Sequence, residues 1–165
     1  MADVEKVTKE TIEKGGILAL LYFDIHGKDK EKLVDIGAGF IQQILKEAGV
    51  IYALGEVDNP FEQNDLFSTS VNLKVLFKDF ISLSSLCSKY SPFSVEIIRP
   101  DKISLAIDQA HDLLMDIAAT NFEYKKYIIE KLADDSELKS YKDSFENKLL
   151  MGKKMRESKQ GEVNG

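Results

Sequence analysis

Apolar residues recur along this chain in two periods, one near two and one near three and a half, and the two periods take turns. From Ile17 to Ile25 the residues Ile17, Ala19, Leu21, Phe23 and Ile25 line one face, and Leu18, Leu20, Tyr22, Asp24 and His26 the other. A run that is apolar on both faces for most of its length predicts a central strand with both sides at least partly covered. Gly27 ends it, and Asp29 is placed to cap a helix that opens with Glu31 and Lys32. Leu33, Ile36, Phe40, Ile44 and Ala48, widened by Ile41 and Leu45, form one helical stripe that stops at Gly49. Val50 to Val57 is β-branched and aromatic enough for a second strand. Asp58-Asn59-Pro60 then begins a long loop, 58–69, before Val71, Leu73, Val75 and Phe77 alternate cleanly with Asn72 and Lys74.

Asp79 predicts the cap of a second helix carrying Phe80, Leu83, Leu86 and Cys87, ended by Tyr90-Ser91-Pro92. A fourth strand, Phe93 to Ile98, directs Phe93, Val95 and Ile97 inward and Ser94 and Glu96 outward, and Arg99-Pro100-Asp101 turns the chain. Residues 102–107, KISLAI, fit either a hairpin partner or the opening of a helix. The reading favoured is an extended lead-in to a helix capped by Asp108 and covering Gln109 to Ala119. Two further helical patterns follow, one with Tyr124, Tyr127, Ile128 and Leu132, the other with Leu138, Tyr141, Phe145, Leu149 and Met151. At the N-terminus, residues 1–14 are polar with scattered Val4, Val7 and Ile12, suit a short helix, and are closed by Gly15-Gly16.

The central order is therefore strand, helix, strand, strand, helix, strand. That order predicts an α+β fold of the ferredoxin-like βαββαβ type, an antiparallel sheet with helices on one face, plus a C-terminal helical extension. The expected organisation is a polar segment over 1–16, the α+β core over 17–108, C-terminal helices over 109–152 and a disordered tail over 153–165, where apolar spacing stops. Helices on one face leave the other open. Its expected residues, Leu18, Leu20, Tyr22, Leu76 and Ile98 among Asn72, Lys74, Ser94 and Glu96, make a patch that soluble monomers rarely expose. Either the C-terminal helices fold over it or a second subunit does, and a homodimer is favoured.

Composition narrows the classes. With 165 residues, 44% apolar and 30% charged, the chain suits a globular domain able to bury roughly 70% of its unfolded surface without a staple. The single cysteine, Cys87, forms no internal disulfide, which fits a reducing cytoplasmic setting. The longest uninterrupted apolar run, Ile17 to Phe23, is too short to span a bilayer and lacks the flanks of a signal sequence. Acidic residues outnumber basic ones 28 to 22, for a net charge of −6, and lysines alternate with acids. This balance argues against nucleic acid as a partner. The basic run KKMRESK at 153–159 lies in the polar tail.

Candidate chemistry is thin. Asp24 and His26 share a face at period two, so both side chains can address one atom. Zinc needs three or four ligands, which Glu56, Asp58, Glu62 or Asp65 of the acidic loop would have to complete. The competing account has Asp24 bonded to turn N–H groups and His26 solvated or hydrogen-bonded. His111, between Asp108 and Asp112, reads as a surface histidine, and Cys87 as an inert thiol beside its helix stripe. GAGF at 37–40 lies mid-helix, so its small residues point to close helix packing rather than to a phosphate loop. Tyr124 and Tyr127 at helical spacing suit a packing edge. No cofactor motif is legible and none is expected.

The leading expectation is a small binding or assembly module rather than an enzyme. It would self-associate through its sheet or C-terminal helices and take a small ligand or protein partner at the 58–69 loop, with Tyr22, Glu56, Asp58, Asn59, Glu62 and Asp65 as contact residues. The alternative is a metal-dependent or acid–base enzyme, with Asp24 and His26 as catalytic groups, or with Asp24, His26, Glu56 and Asp58 as ligands.

Overall fold

A computed structural model of the chain describes residues 2–63, 65–132 and 135–163. The elements run α1 (Ala2–Glu13), β1 (Ile17–Gly27), α2 (Lys30–Leu45), β2 (Val50–Val57), β3 (Phe61–Gln63), β4 (Leu66–Phe77), α3 (Phe80–Tyr90), β5 (Ser94–Arg99), α4 (Ile107–Leu132) and α5 (Asp135–Val163). The main sheet order is β2-β4-β1-β5, every pair antiparallel, with the short β3 added beside β4. With β3 set aside, this is the ferredoxin-like arrangement that the element order predicts. Two compact units divide the chain, Met1–Ile117 and Ala118–Gly165, and the boundary falls inside α4.

The first unit's core lies between the sheet and the helices. Ile17, Ala19, Leu21 and Phe23 of β1 and Val71, Leu73, Val75 and Phe77 of β4 are sealed against Ile44 of α2 and Leu83 and Leu86 of α3. Asp29 caps α2 by accepting from the backbone N–H groups of Glu31 and Lys32, and Asp79 caps α3 through Ser82 N–H. The buried face of α2 is Leu33, Gly37 and Ile44, with Phe40 and Ile41 half-buried beside them. Ile36 and Leu45 point to water instead of joining the expected stripe, and the helix stops before Ala48.

Small residues do bring α2 close to the sheet, but only one of them does so. A Cβ at Gly37 would lie 2.8 and 2.9 Å from the two methyls of Val57, whereas one at Gly39 would meet nothing. Gly39→Ala should therefore stabilise the fold by about 0.5–1 kcal/mol through helix propensity. Gly37→Ala should cost about 1 kcal/mol net, because overpacking outweighs propensity. Urea denaturation of the pair checks this, and equal shifts would refute the close approach.

Four expectations change. Residues 58–69 are not a long loop: β3 pairs with Leu66 to Ser68, and β4 begins five residues before Val71. The physical reason is β1, which continues to Gly27 and offers a ladder as far as Phe67. Asp108 does not cap α4. It sits in the helix's first turn, while Ala106 N–H bonds Gln109 Oε1 at 3.1 Å, as the first and last members of a capping box do. Residues 102–106 form the extended lead-in and join no strand. Residues 153–163, expected to be disordered, continue α5, in keeping with their content of Lys, Glu, Met, Arg and Gln.

The fourth change concerns the sheet's second face, and α1 causes it. α1 lies across the row formed by Arg99, Leu18, Leu76 and Tyr52, which face one another on four adjacent strands. Thr8 is 2% exposed. Its hydroxyl donates to the Val4 carbonyl, so the Tyr52 hydroxyl donates to it, at 2.9 Å. At the other end of the row Arg99 pairs with Glu5 at 2.9 Å, and the guanidinium holds the Glu5 carboxyl below its ordinary pKa. The segment expected to be merely polar thus covers Leu18 and Leu76, both buried.

In the second unit, the rings of Phe122 on α4 and Tyr141 on α5 stack at 6.3 Å. Tyr124 and Tyr127 do not form a packing edge there: both are exposed, and Lys131 Nζ lies 5.7 Å from the Tyr127 ring centre. Among the described residues no helix is long and apolar enough to cross a membrane.

Candidate functional site

Beyond α1 the outer sheet face continues as four open rows. Glu96, Leu20, Lys74 and Leu54 form the first, and Ser94, Tyr22, Asn72 and Glu56 the second. Asp24 and Ser70 form the third, and His26, Ser68 and Phe61 the last. The alternation of β1 and β4 puts these side chains on one side, so Tyr22, Asp24, His26 and Glu56 do share a surface.

Cross-strand bonds occupy the pair that opened the enzyme alternative. Ser70 Oγ donates to Asp24 Oδ1 at 3.0 Å, and His26 Nδ1 lies 2.7 Å from Ser68 Oγ. Asp58 follows β2 and is held at the same end: its backbone N–H bonds the Ser70 carbonyl, and Asn72 Nδ2 donates to its carboxylate at 3.3 Å. The remaining loop candidates diverge. Glu62 pairs with Phe67 and so lies on the opposite face; Asp65 turns the β3–β4 hairpin at φ 62°; Asn59 is exposed in the link before β3. Among the described residues no three His, Cys, Asp or Glu side chains gather closely enough to hold a metal.

Two concavities flank this surface. A groove lined on the outer face by Leu20, Leu54, Glu56, Asn72 and Lys74 also reaches Ala53 and Gly55 of β2 and Ile41 of α2. At the far end of the sheet a cavity of about 400 Å³ is bordered by Glu13, Lys14, Asp79, Phe80, Lys102 and Ser104, whose charges are mixed. Cys87 is half-buried against the core, which pushes its thiol pKa up and makes the reactive thiolate scarcer. His111 is exposed on α4. A surface cluster of Glu47, Lys89 and Tyr90 ties α3 to the turn after α2, and both partners hold the Glu47 carboxyl low.

Inspection of the sequence missed Ser68, Ser70 and Asn72, which position Asp24, His26 and Asp58. The signal was available: Ser68, Ser70, Asn72 and Lys74 alternate with Phe67, Thr69, Val71 and Leu73, one unbroken period-two run.

β5 is the other unusual feature. It is an edge strand exposed along its whole length, on both faces. Val95 and Ile97, expected inward, are 43% and 40% exposed, and Phe93 just before the strand is 61% exposed. The cause lies in helix placement: α2 packs on β2, β4 and β1, and α3 on β4.

An antiparallel α+β module with an open outer face and an edge strand exposed on both faces is the class of protein these features define. Residues 18–153 match the MJ0538 family, and the chain belongs to that family. No curated protein and no solved structure matches it.

Proposed function

We propose that the chain is a self-associating assembly and binding module. The observation that carries this is β5, where apolar side chains on the helix-side face stay in water although their β1 partners Ala19 and Leu21 are fully buried. A surface of that kind is stabilised by a second protein surface. A second reading, compatible with the first, is a small ligand or protein segment seated in the groove of Leu20, Leu54, Glu56, Asn72 and Lys74, beside Tyr22 and Asp58. It inherits the role first assigned to the 58–69 loop. The enzyme alternative rests on Asp24 and His26, whose cross-strand bonds to serines suit strand-end anchoring better than proton transfer.

Native mass spectrometry on protein purified without chelator or affinity metal tests the proposal. The expected result is a dimer with no added mass. A protein that stays strictly monomeric well above the micromolar range overturns it, and an added metal mass lost in His26→Ala would restore the enzyme alternative.

A further inference from the structure

β5 carries more information than its exposure. Its outer edge is unpaired among the described residues, since it ladders only with β1. Sheet edges are templates for another strand, and proteins commonly blunt them with lysine, proline or a bulge. Here the register irregularity lies late in the strand, where Leu18 faces Arg99 and Ala19 faces Ile97, and Pro100 follows the strand. Ser94 to Ile97 is left regular and carries no lysine or proline.

We propose that β5 pairs antiparallel with β5 of a second copy of this chain, about a two-fold axis through Val95, so that the two sheets become one. The inference rests on the self-association reading above and names the surface and the register. Residues directly opposite in an antiparallel pair lie on the same face, so a two-fold axis normal to the sheet must pass through a residue position. Centring on Glu96 sets carboxylate against carboxylate, which is destabilising. Centring on Ile97 sets Glu96 against Ile98 and Val95 against Arg99, and it runs into the irregular end. Centring on Ser94 shortens the ladder, because Pro92 offers no N–H.

Centring on Val95 matches polarity along the regular part of the strand. Val95 meets Val95 of the second copy, and the Ser94 hydroxyl meets the Glu96 carboxylate. Phe93, whose N–H bonds the Tyr22 carbonyl and whose ring lies 5.9 Å from the Tyr22 ring on the outer face, stands outside the ladder. The ladder sets against each other the two Val95 side chains that the helix layer leaves open. This self-complementarity selects a second copy over an unrelated strand. A six-residue edge lies at the small end of specific interfaces, so the dimer should dissociate on dilution through the micromolar range.

The experiment uses the full chain. In a Cys87→Ser background, which removes the only native thiol, Val95→Cys places two thiols opposite each other. Facing α-carbons in such a ladder are about 4.5–5.5 Å apart, within the reach of a disulfide. Mild oxidation should shift Val95→Cys from monomer to double mass on a non-reducing gel, while Glu96→Cys stays at single mass. Val95→Lys, a change at an exposed position, should abolish the native dimer and leave the circular dichroism spectrum unchanged. If the native protein is a dimer but Val95→Cys stays unlinked and Val95→Lys still dimerises, the β5 interface is overturned and self-association stands on another surface. Cross-linking through Glu96→Cys instead overturns the register. A native protein that is monomeric throughout overturns both the interface and the self-association reading.

Discussion

Gly49→Ala should lower the unfolding free energy by about 2–5 kcal/mol, a large share of the roughly 5–15 kcal/mol that holds a domain together. Two costs add at this position. Gly49 sits at φ +84°, where a Cβ costs about 1–2 kcal/mol. That Cβ would also lie 2.6 Å from Ser82 Cβ and closer still to its hydroxyl. Ser82 has little room to move, because its N–H and hydroxyl both bond Asp79 Oδ1, at 2.8 and 2.7 Å, to cap α3. The Gly49 carbonyl meanwhile accepts from Lys78 N–H at 2.8 Å, which ties the α2–β2 turn to the end of β4. Overpacking against such a fixed neighbour costs about 1–3 kcal/mol. Gly15→Ala is the control. Gly15 has φ +95° with nothing within 4 Å of a Cβ, so it should lose only the backbone share, about 1–2 kcal/mol. Equal losses in the two variants by urea denaturation would show that the contact with α3 carries no weight.

The features that could be read in the sequence are those set by local chemistry and by period. Asp29 and Asp79 cap their helices as their positions predict, and β1, α2, β2 and α3 fall close to where the alternation and the stripe place them. The order of these elements was enough to point to the sheet topology. What escaped depends on distant parts of the chain. Residues 61–63 become a strand only because β4 starts early enough to pair with them, and β4 does so because β1 reaches Gly27. Val95 and Ile97 alternate as core residues do, yet their exposure is decided by where α2 and α3 lie. The candidate site divides in the same way. Period two placed Asp24 and His26 on one face, but the serines that hold them sit more than forty residues away, and Glu62 turned to the other face once β3 formed. α1 was the least legible element, since its burial rests on one threonine and scattered aliphatics among charged residues.

Removing α1, by joining Met1 to Lys14, should destabilise the first unit by about 3–5 kcal/mol. The helix alone is short and highly charged, and a free peptide of this length is only marginally helical in water. Its contribution must therefore come from docking. Leu18 and Leu76 are 3% and 0% exposed in the sheet row that α1 crosses. Exposing two fully buried leucines costs about 1.5–3 kcal/mol each, which sets the scale. The polar contacts add less. The Glu5–Arg99 pair is solvent-exposed, and Thr8→Val, which keeps the shape but leaves the Tyr52 hydroxyl without its partner, should cost about 1 kcal/mol. Thermal and urea unfolding of the truncated chain, compared with Thr8→Val, separates the two contributions. A truncated chain as stable as the intact one would mean that α1 does not dock. In that case the whole outer face, and not only the part beyond α1, would be open to a partner.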